Sequence, residues 1–269
     1  MINDPLVSAI VITYNRKKLL KETIDSILNQ TYENFELIVV DNFSDYDFFT
    51  HMDCLNDKRI RPFQNANNGV IAVNRNYGIE KAKGKYITFC DDDDIWLHEK
   101  LEKQVSLMER RNEVGLSYVL FSIITENGSI TGEFPKPKNR YRGNIFRSLY
   151  FKPVIANSGI MMRKDLISSV GMLNEDFDLI ATEDYDFLLR AALETEIDYV
   201  ESKPLLLWRR GANSMSRGLI KQWKRSLFMR RKFKNRVDNW LYLKTVLHHS
   251  IYFLYIYIKS IKHRYKLIG

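Results

Sequence analysis

Residues 84–96 constrain the fold most strongly, because a β-prone run (residues 86–90) leads directly into four consecutive aspartates (residues 91–94). Adjacent carboxylates repel one another and have raised pKa values unless a cation or strong hydrogen-bond donors lie among them. Mg²⁺ and Mn²⁺ take oxygen ligands and commonly share one or two carboxylates with substrate phosphates. The run therefore indicates a metal and diphosphate site at the end of a strand. A solvated acidic turn is the plainer alternative.

The chain has 269 residues, of which 45% are hydrophobic and 28% charged, enough for one large α/β domain with an appendage. Its net charge of +8 is unevenly distributed. Residues 217–269 carry 14 Lys and Arg against one acid, a net charge of +13, whereas residues 1–216 carry 27 against 32. A mildly acidic body therefore precedes a strongly basic tail.

Two cysteines, Cys54 and Cys90, fit neither a disulfide framework nor a zinc motif. The first residues lack the basic and apolar regions of a signal peptide. We therefore expect a reduced, cytoplasmic setting.

Strand-like and helix-like segments alternate through the first hundred residues. Apolar runs at residues 6–12 and 36–40 suit buried strands, and a shorter strand is expected at 59–63. Helices are expected between them, the first through apolar residues spaced three and four apart, Leu19, Leu20, Ile24, Ile27 and Leu28, and another at 70–83. This alternation predicts an α/β fold with a mostly parallel, doubly wound sheet and helices on both faces.

Polar residues follow three of these strands. Thr13 and Tyr14 follow the first strand, Asp41 and Asn42 the second, and the aspartates a later one. Ligands of such sheets bind outside the carboxyl ends of the strands, so we expect these side chains to converge on one site.

The motifs, taken together and in order, resemble those of family 2 glycosyltransferases with the GT-A fold. The resemblance rests on residues 8–16, 24–32, 35–44 and 82–89, followed by the acidic run. It implies a catalytic domain over residues 1–216, with a nucleotide-sugar half (1–112) and an acceptor half (113–216), and a separate helical tail over residues 217–269. It also implies inverting transfer of a sugar from a nucleotide diphosphate donor to an acceptor hydroxyl, with Mn²⁺ or Mg²⁺.

Donor-binding residues follow from the same resemblance. Thr13 and Tyr14 match the motif that lies against the nucleotide base, and the pair Asp41 and Asn42 matches the one that reads it. An Asn that accepts from a pyrimidine N3–H suits a UDP-sugar. Arg75 resembles the arginine near the diphosphate.

The metal ligands fall in the acidic run. The resemblance assigns Asp91 and Asp93 to the DxD motif, with Asp93 as the direct metal ligand and Asp91 or Asp92 facing the ribose or a metal-bound water. The register Asp92-x-Asp94 stays open. Related enzymes often complete the metal shell with a histidine at the position of Gly211, so Arg209 or Arg210 is expected to supply some of the missing charge. The signature of processive enzymes, Gln-x-x-Arg-Trp, is absent, which favours addition of a single sugar.

A second carboxylate motif follows at residues 182–190. Thr182 at the start of a helix, with acids in its first turn, would suit simple capping. The resemblance instead assigns Asp184 as the general base that deprotonates the acceptor, with Glu183 orienting it.

Between the two motifs, residues 115–125 and 129–131 are expected to form a hairpin around Asn127 and Gly128. Residues 133–142, with two prolines and several charges, are expected to be irregular.

The tail interleaves its basic residues with ten aromatic residues. This composition suits a helix lying on an anionic membrane surface, at the inner face of the cell membrane, where a lipid-linked glycan acceptor of bacterial surface polysaccharide synthesis would be reached. Packing on the catalytic domain is an alternative, and we expect no nucleic acid partner. Two other functions stay open, a sugar-nucleotide nucleotidyltransferase and a noncatalytic membrane or nucleic-acid adaptor.

Overall fold

The computed structural model describes residues 4–210 and 219–265. The described residues form two compact units. One contains residues up to 146 together with 154–210, and the other contains 147–153 together with 219–265.

The first unit contains two sheets. Their strands are β1 (Val7–Thr13), β2 (Phe35–Asp41), β3 (Ile60–Gln64), β4 (Tyr86–Asp91), β5 (Ile95–Trp96), β6 (Val114–Tyr118), β7 (Phe121–Ile124), β8 (Ile130–Phe134), β9 (Ile160–Arg163), β10 (Glu196–Tyr199) and β11 (Leu206–Arg209). In the part of the chain described, the large sheet has the order β10-β6-β9-β4-β1-β2-β3 and the small sheet the order β5-β11-β7-β8. Strands β4, β1, β2 and β3 are parallel, and β9 runs antiparallel between β4 and β6.

Helices follow the strands as their apolar spacing predicts. They are α1 (Lys17–Leu28), α2 (Phe48–Asp53), α3 (Ile71–Lys81), α4 (Lys100–Arg110), α5 (Phe146–Phe151), α6 (Leu166–Val170), α7 (Glu183–Glu194), α8 (Leu219–Lys232) and α9 (Asn239–Tyr265). The buried face of α1 consists of Leu20, Thr23, Ile24 and Ile27, which pack on a sheet whose β1 and β2 are almost fully buried. The α/β architecture with a central, mostly parallel sheet is confirmed.

Two local predictions were right in kind but wrong in extent. The run at 115–125 is two strands in different sheets, because the chain leaves the large sheet after β6 and enters the small one at β7. The hairpin is formed by β7 and β8 alone. The expected irregular segment begins later than predicted, because Phe134 ends β8 and its ring stacks on Phe121, with centroids 5.9 Å apart.

The second unit is built from α8, α9 and the short segment 147–153. Trp223 stacks on Phe253 with ring centroids 5.3 Å apart, and the Arg230 guanidinium lies 2.8 Å from His249 Nε2. The Tyr150 hydroxyl donates to the Arg230 carbonyl. Across the described residues, none of the helices combines the length and apolar character needed to cross a bilayer.

Gly84 provides a test of the packing that sets the start of β4. A Cβ at this position would lie 2.6 Å from the Leu6 carbonyl oxygen and 2.7 Å from the Ser8 amide nitrogen, neither of which can move aside. We expect Gly84→Ala to lower the free energy of unfolding by about 1–3 kcal/mol, measured by urea denaturation. Gly132→Ala is the matched control, because its Cβ would meet only the Phe134 ring at 3.6 Å, and a change within about 0.5 kcal/mol is expected there. Equal stabilities of the two variants would contradict the tight approach.

Candidate active site

The polar strand ends converge at one edge of the large sheet. The parallel register pairs Thr13 with Asp41 and Ile12 with Asp91, so three loops leave the sheet side by side. The expected convergence is confirmed.

Unusual backbone conformations mark the loops after β1 and β2 and the segment before α7. Asn15, Phe43 and Ala181 have φ values of 53°, 57° and 62°, a region that non-glycine residues seldom occupy. The first two loops are tied together, because the Asn15 amide donates to Ser44 Oγ and the Asp45 amide donates to Asn15 Oδ1. Such strain persists only where surrounding contacts enforce it, and it is typical of functional sites.

The four aspartates lie in different environments. Asp94 is buried, and its carboxylate accepts from Ser158 Oγ at 2.5 Å and from the Arg209 amide at 2.8 Å. Asp92 is also buried, accepting from Thr13 Oγ1 at 2.8 Å. The Asp91 and Asp93 side chains are 35% and 24% exposed. The register Asp91-x-Asp93 is therefore the one whose carboxylates face solvent together.

Burial, more than repulsion between the carboxylates, raises the pKa values of three of these acids. Burial raises the pKa of Asp92 to about 6, although Arg16 and Thr13 oppose the shift. Burial and then Asp91 raise the pKa of Asp93, while burial, Asp91 and Asp93 raise that of Asp94 well above its ordinary value. Arg16 supplies part of the balancing charge, since its Nη1 lies 2.9 Å from Asp92 and 2.8 Å from Asp93. An added cation would relieve the rest.

The residues fit a cation that is shared with a substrate. No closed set of three or more acidic, histidine or cysteine ligands occurs in the described residues. Two partly exposed carboxylates, Asp91 and Asp93, are nevertheless the donor set expected when a diphosphate and water complete an octahedral Mg²⁺ or Mn²⁺ site. Gly211, at the position of the histidine in related enzymes, lies outside the described residues.

Arg75 joins the acidic run to the second carboxylate motif. Its Nη2 lies 2.8 Å from Asp91 Oδ1 and its Nη1 lies 2.6 Å from Glu183 Oε1, with only 5% of the Arg75 side chain exposed. Burial lowers the pKa of Arg75, but the adjacent carboxylates outweigh it, so that the pKa is raised. The structure thus shows Arg75 holding two carboxylates, whereas its contact with a diphosphate stays a prediction.

Asp184 follows Glu183 at the start of α7. Its Oδ1 accepts from the Tyr185 amide at 2.7 Å. Burial and then Glu183 raise the pKa of Asp184 to about 6, against the influence of Arg75. Glu183 Oε2 is buried without a hydrogen-bond partner in the structure as described, so an unsatisfied acceptor lies next to the proposed base. Thr182 does not cap the helix with its side chain, because its hydroxyl donates to the Leu179 carbonyl instead.

Asp41 and Asn42, the pair expected to read the nucleotide base, differ in burial and in hydrogen bonding. Asp41 is fully buried, and its carboxylate accepts from Ser44 and from Gln64 Nε2. Asn42 is partly buried and its Oδ1 accepts from the Asn67 amide at 2.9 Å, while Tyr14 is 54% exposed. Asp41 therefore holds the loop, and a base would have to meet Asn42 and Tyr14 or displace one of these bonds.

Arg16 and Ser158 support the acidic run but were not among the predicted site residues. Arg16 lies in the first motif, residues 8–16, but no role was predicted for it. Ser158 donates to Asp94 and accepts from the Asp91 amide, and its carbonyl accepts from the Trp96 indole N–H at 2.9 Å. Arg209 Nε donates to the Asp93 carbonyl at 2.8 Å. The position of Arg16 directly after a strand-end motif could have indicated a role in the site. Ser158 is distant in sequence from the acidic run, and only the fold places the two together.

The family follows from the sequence comparison. The model of glycosyl transferase family 2 matches residues 8–171, which include the acidic run and the loops after β1 and β2. The chain belongs to glycosyl transferase family 2. It is therefore a glycosyltransferase with the GT-A fold, and the nucleotidyltransferase and adaptor alternatives lose their support.

One relative supports this placement, and two solved structures share the fold. The chain is 30% identical over 226 residues to the Escherichia coli UDP-Glc:alpha-D-GlcNAc-diphosphoundecaprenol beta-1,3-glucosyltransferase WfgD, covering 83% of this chain and 85% of WfgD. S. aureus TarS 1-349 in complex with UDP-GlcNAc has a TM-score of 0.68 at 18% identity, covering 90% and 71% of the two chains. The Pyrobaculum calidifontis mannosyltransferase PcManGT, solved with GDP-Man and Mn²⁺, has a TM-score of 0.61 at 19% identity, covering 94% and 70%. The chain spans only about a quarter of the uncharacterized Rickettsia glycosyltransferases that it also matches.

Metal binding distinguishes the two registers of the acidic run. We expect Asp93→Asn to weaken Mn²⁺ binding in the presence of UDP at least tenfold, roughly the lower bound for disturbing a metal shell, because it removes an exposed ligand. Asp94→Asn should weaken Mn²⁺ binding less and lower the melting temperature more, because Asp94 accepts buried bonds from Ser158 and Arg209. Titration of free Mn²⁺ by electron paramagnetic resonance measures the affinity. The opposite ranking would favour the register Asp92-x-Asp94.

Proposed function

We propose that this protein is a metal-dependent, inverting glycosyltransferase that moves a hexose-type sugar from a UDP-sugar to a hydroxyl of a lipid-linked glycan during surface polysaccharide synthesis. The observation that carries the proposal is the Arg75 guanidinium between Asp91 and Glu183, which holds the acidic run beside the start of α7. This contact supports a single site that contains both the proposed donor residues and the proposed acceptor base.

The chemistry is a single displacement at the anomeric carbon. Asp184 takes the proton of the acceptor hydroxyl while the hydroxyl oxygen forms a bond to the anomeric carbon. The bond between the anomeric carbon and the diphosphate oxygen breaks on the opposite face, and the diphosphate leaves with that electron pair. A divalent cation held by Asp91 and Asp93 would supply positive charge for the diphosphate. Arg16, 33% exposed and already bonded to Asp92 and Asp93, is placed to contribute a second positive charge.

The donor and acceptor classes are supported by the relatives. WfgD is named for UDP-glucose and a diphosphoundecaprenol-linked sugar, TarS was solved with UDP-GlcNAc and PcManGT with Mn²⁺. The acceptor class also suits the basic tail, which we place against the anionic inner face of the cell membrane.

Nucleotide release provides the direct test. The purified chain is incubated with UDP-glucose, UDP-GlcNAc or GDP-mannose, a short-chain diphosphopolyprenyl sugar in detergent, and either Mn²⁺ or EDTA. We expect UDP release that requires both acceptor and metal, and a β-linked product from an α-linked donor. Release only with GDP-mannose, full activity in EDTA or a retained anomeric configuration would each contradict the proposal.

Removal of the base separates chemistry from binding. Asp184→Asn should lower kcat by about 10²–10⁴, the usual contribution of a positioned base, with donor affinity retained. Glu194→Gln, at an exposed acid on the same helix, is the matched control and should behave as wild type. Fluorescence titration with UDP measures donor-site binding. An Asp184→Asn enzyme with wild-type turnover would exclude Asp184 as the base.

The pH dependence follows from the raised pKa of the same group. A base acts only when deprotonated, so kcat/KM for the acceptor should fall as the pH drops through about 6, rather than near the ordinary aspartate value of about 4. Glu183→Gln should move this inflection to lower pH, because it removes a neighbouring negative charge that raises the pKa of Asp184. An inflection that stays at the same pH in Glu183→Gln would mean that another group limits the rate.

A further inference from the structure

Helix α9 carries an exposed apolar stripe, here called the outer stripe. It consists of Trp240, Leu243, Leu247, Ile251, Leu254 and Ile258, which are 67%, 63%, 61%, 59%, 54% and 45% exposed. Their spacing of three and four residues places them within about 80° of the helix circumference, since an α-helix turns about 100° per residue. The outer stripe is about 27 Å long at a rise of about 1.5 Å per residue.

The opposite face of α9 is already occupied. Leu241 and Thr245 are buried, and Phe253 stacks on Trp223 of α8. His249, on the same side, lies against the Arg230 guanidinium. The helix therefore has two apolar faces, one packed within its own unit and one, the outer stripe, left to solvent.

The charge around the outer stripe selects its partner. Residues 219–265 contain 12 Lys and Arg and a single acid, Asp238. A second copy would bring an equally positive surface, which opposes self-association. Nucleic acid would match the charge, but aliphatic side chains such as Leu243 and Ile251 offer no base-stacking platform. An anionic bilayer surface matches both the apolar stripe and the positive charge.

Side chains at the border of the outer stripe suit this partner. Lys244 Nζ lies 4.6 Å from the centre of the Trp240 ring and 5.3 Å from that of Phe151, so its charge lies beside the end of the stripe formed by Trp240. Tyr255, 60% exposed, follows Leu254 and lies next to the stripe. Tryptophan and tyrosine favour the headgroup level of a membrane.

We infer that α9 lies in the plane of an anionic bilayer surface, with the outer stripe inserted at the boundary between headgroups and acyl chains. This inference deepens the proposed function and rests on it, because it names the surface that brings the enzyme to a lipid-linked acceptor. It assigns binding to the apolar stripe together with the positive charge, and not to the positive charge alone.

Vesicle sedimentation tests the inference with the full chain and without donor, metal or acceptor. Vesicles of phosphatidylcholine with phosphatidylglycerol should bind the wild type, less tightly as salt is raised and less tightly again without phosphatidylglycerol. Leu247→Asn with Ile251→Asn should lower the partition coefficient by about tenfold or more, because two inserted aliphatic side chains return to water. The control Ile130→Asn, at a 64% exposed apolar residue of the first unit, should bind as wild type.

A measurement on the unaltered chain guards against misfolding of the double variant. Brominated lipids should quench the fluorescence of the wild type, and Trp240→Phe should remove most of that quenching. Of the other three tryptophans, Trp96 is buried, Trp223 is stacked on Phe253, and Trp208 is partly buried against Phe121 in the first unit. No vesicle binding by the wild type, equal binding by the stripe variant, or quenching that persists in Trp240→Phe would overturn the inference. So would a wild-type dimer that the stripe variant converts to a monomer without loss of vesicle binding.

These outcomes are independent of the glycosyl transfer assay. Transfer is measured in detergent on a short-chain acceptor, where no bilayer is present. An active enzyme that does not bind vesicles would refute membrane binding by the outer stripe and leave the proposed function intact. A protein that binds vesicles but transfers no sugar would refute the proposed function and leave membrane binding intact.

Discussion

The site depends on one buried cation, the Arg75 guanidinium between Asp91 and Glu183. A charge removed from water is tolerated only when it is paired, and removing one partner of a buried pair is typically costly because the other charge is left uncompensated. Arg75 has two partners that are far apart in sequence, one at the end of β4 and one at the start of α7. It therefore fixes the distance between the acidic run and the start of α7, which are the proposed donor and acceptor sides of the site.

The acidic run is held by neutral donors as well as by charge. Ser158 Oγ and the Arg209 amide bond Asp94, and the Trp96 indole bonds the Ser158 carbonyl. Beneath Trp96, the Lys100 ammonium lies 3.8 Å from the ring centre, and burial lowers the pKa of Lys100 to about 7. These contacts leave Asp91 and Asp93 as the carboxylates that face outward, so the four adjacent aspartates divide between two that are buried and two that are available for the proposed ligand binding.

The sequence was informative wherever chemistry is local. Continuous apolar runs identified β1, β2 and β4, because strands buried on both faces need apolar residues throughout. The rule that ligands bind at the carboxyl ends of parallel strands then placed Thr13, Asp41 and Asp91 at one edge without coordinates. The same reasoning failed at residues 115–125, which were predicted as one strand of a hairpin, because an apolar run does not indicate which of two sheets its residues join.

By itself the sequence determined the fold class, the family and the strand ends that form the site. The spacing of apolar residues, the turn residues and the charged motifs are all local features of the sequence. Only the tertiary structure decided which aspartates face outward, that Arg75 spans from Asp91 to Glu183, and that Ser158 and Arg209 support the loop. It also decided which face of α9 stays exposed. These properties depend on contacts between residues distant in sequence. Such contacts bury some side chains and expose others, and thereby shift pKa values, only once the chain has folded.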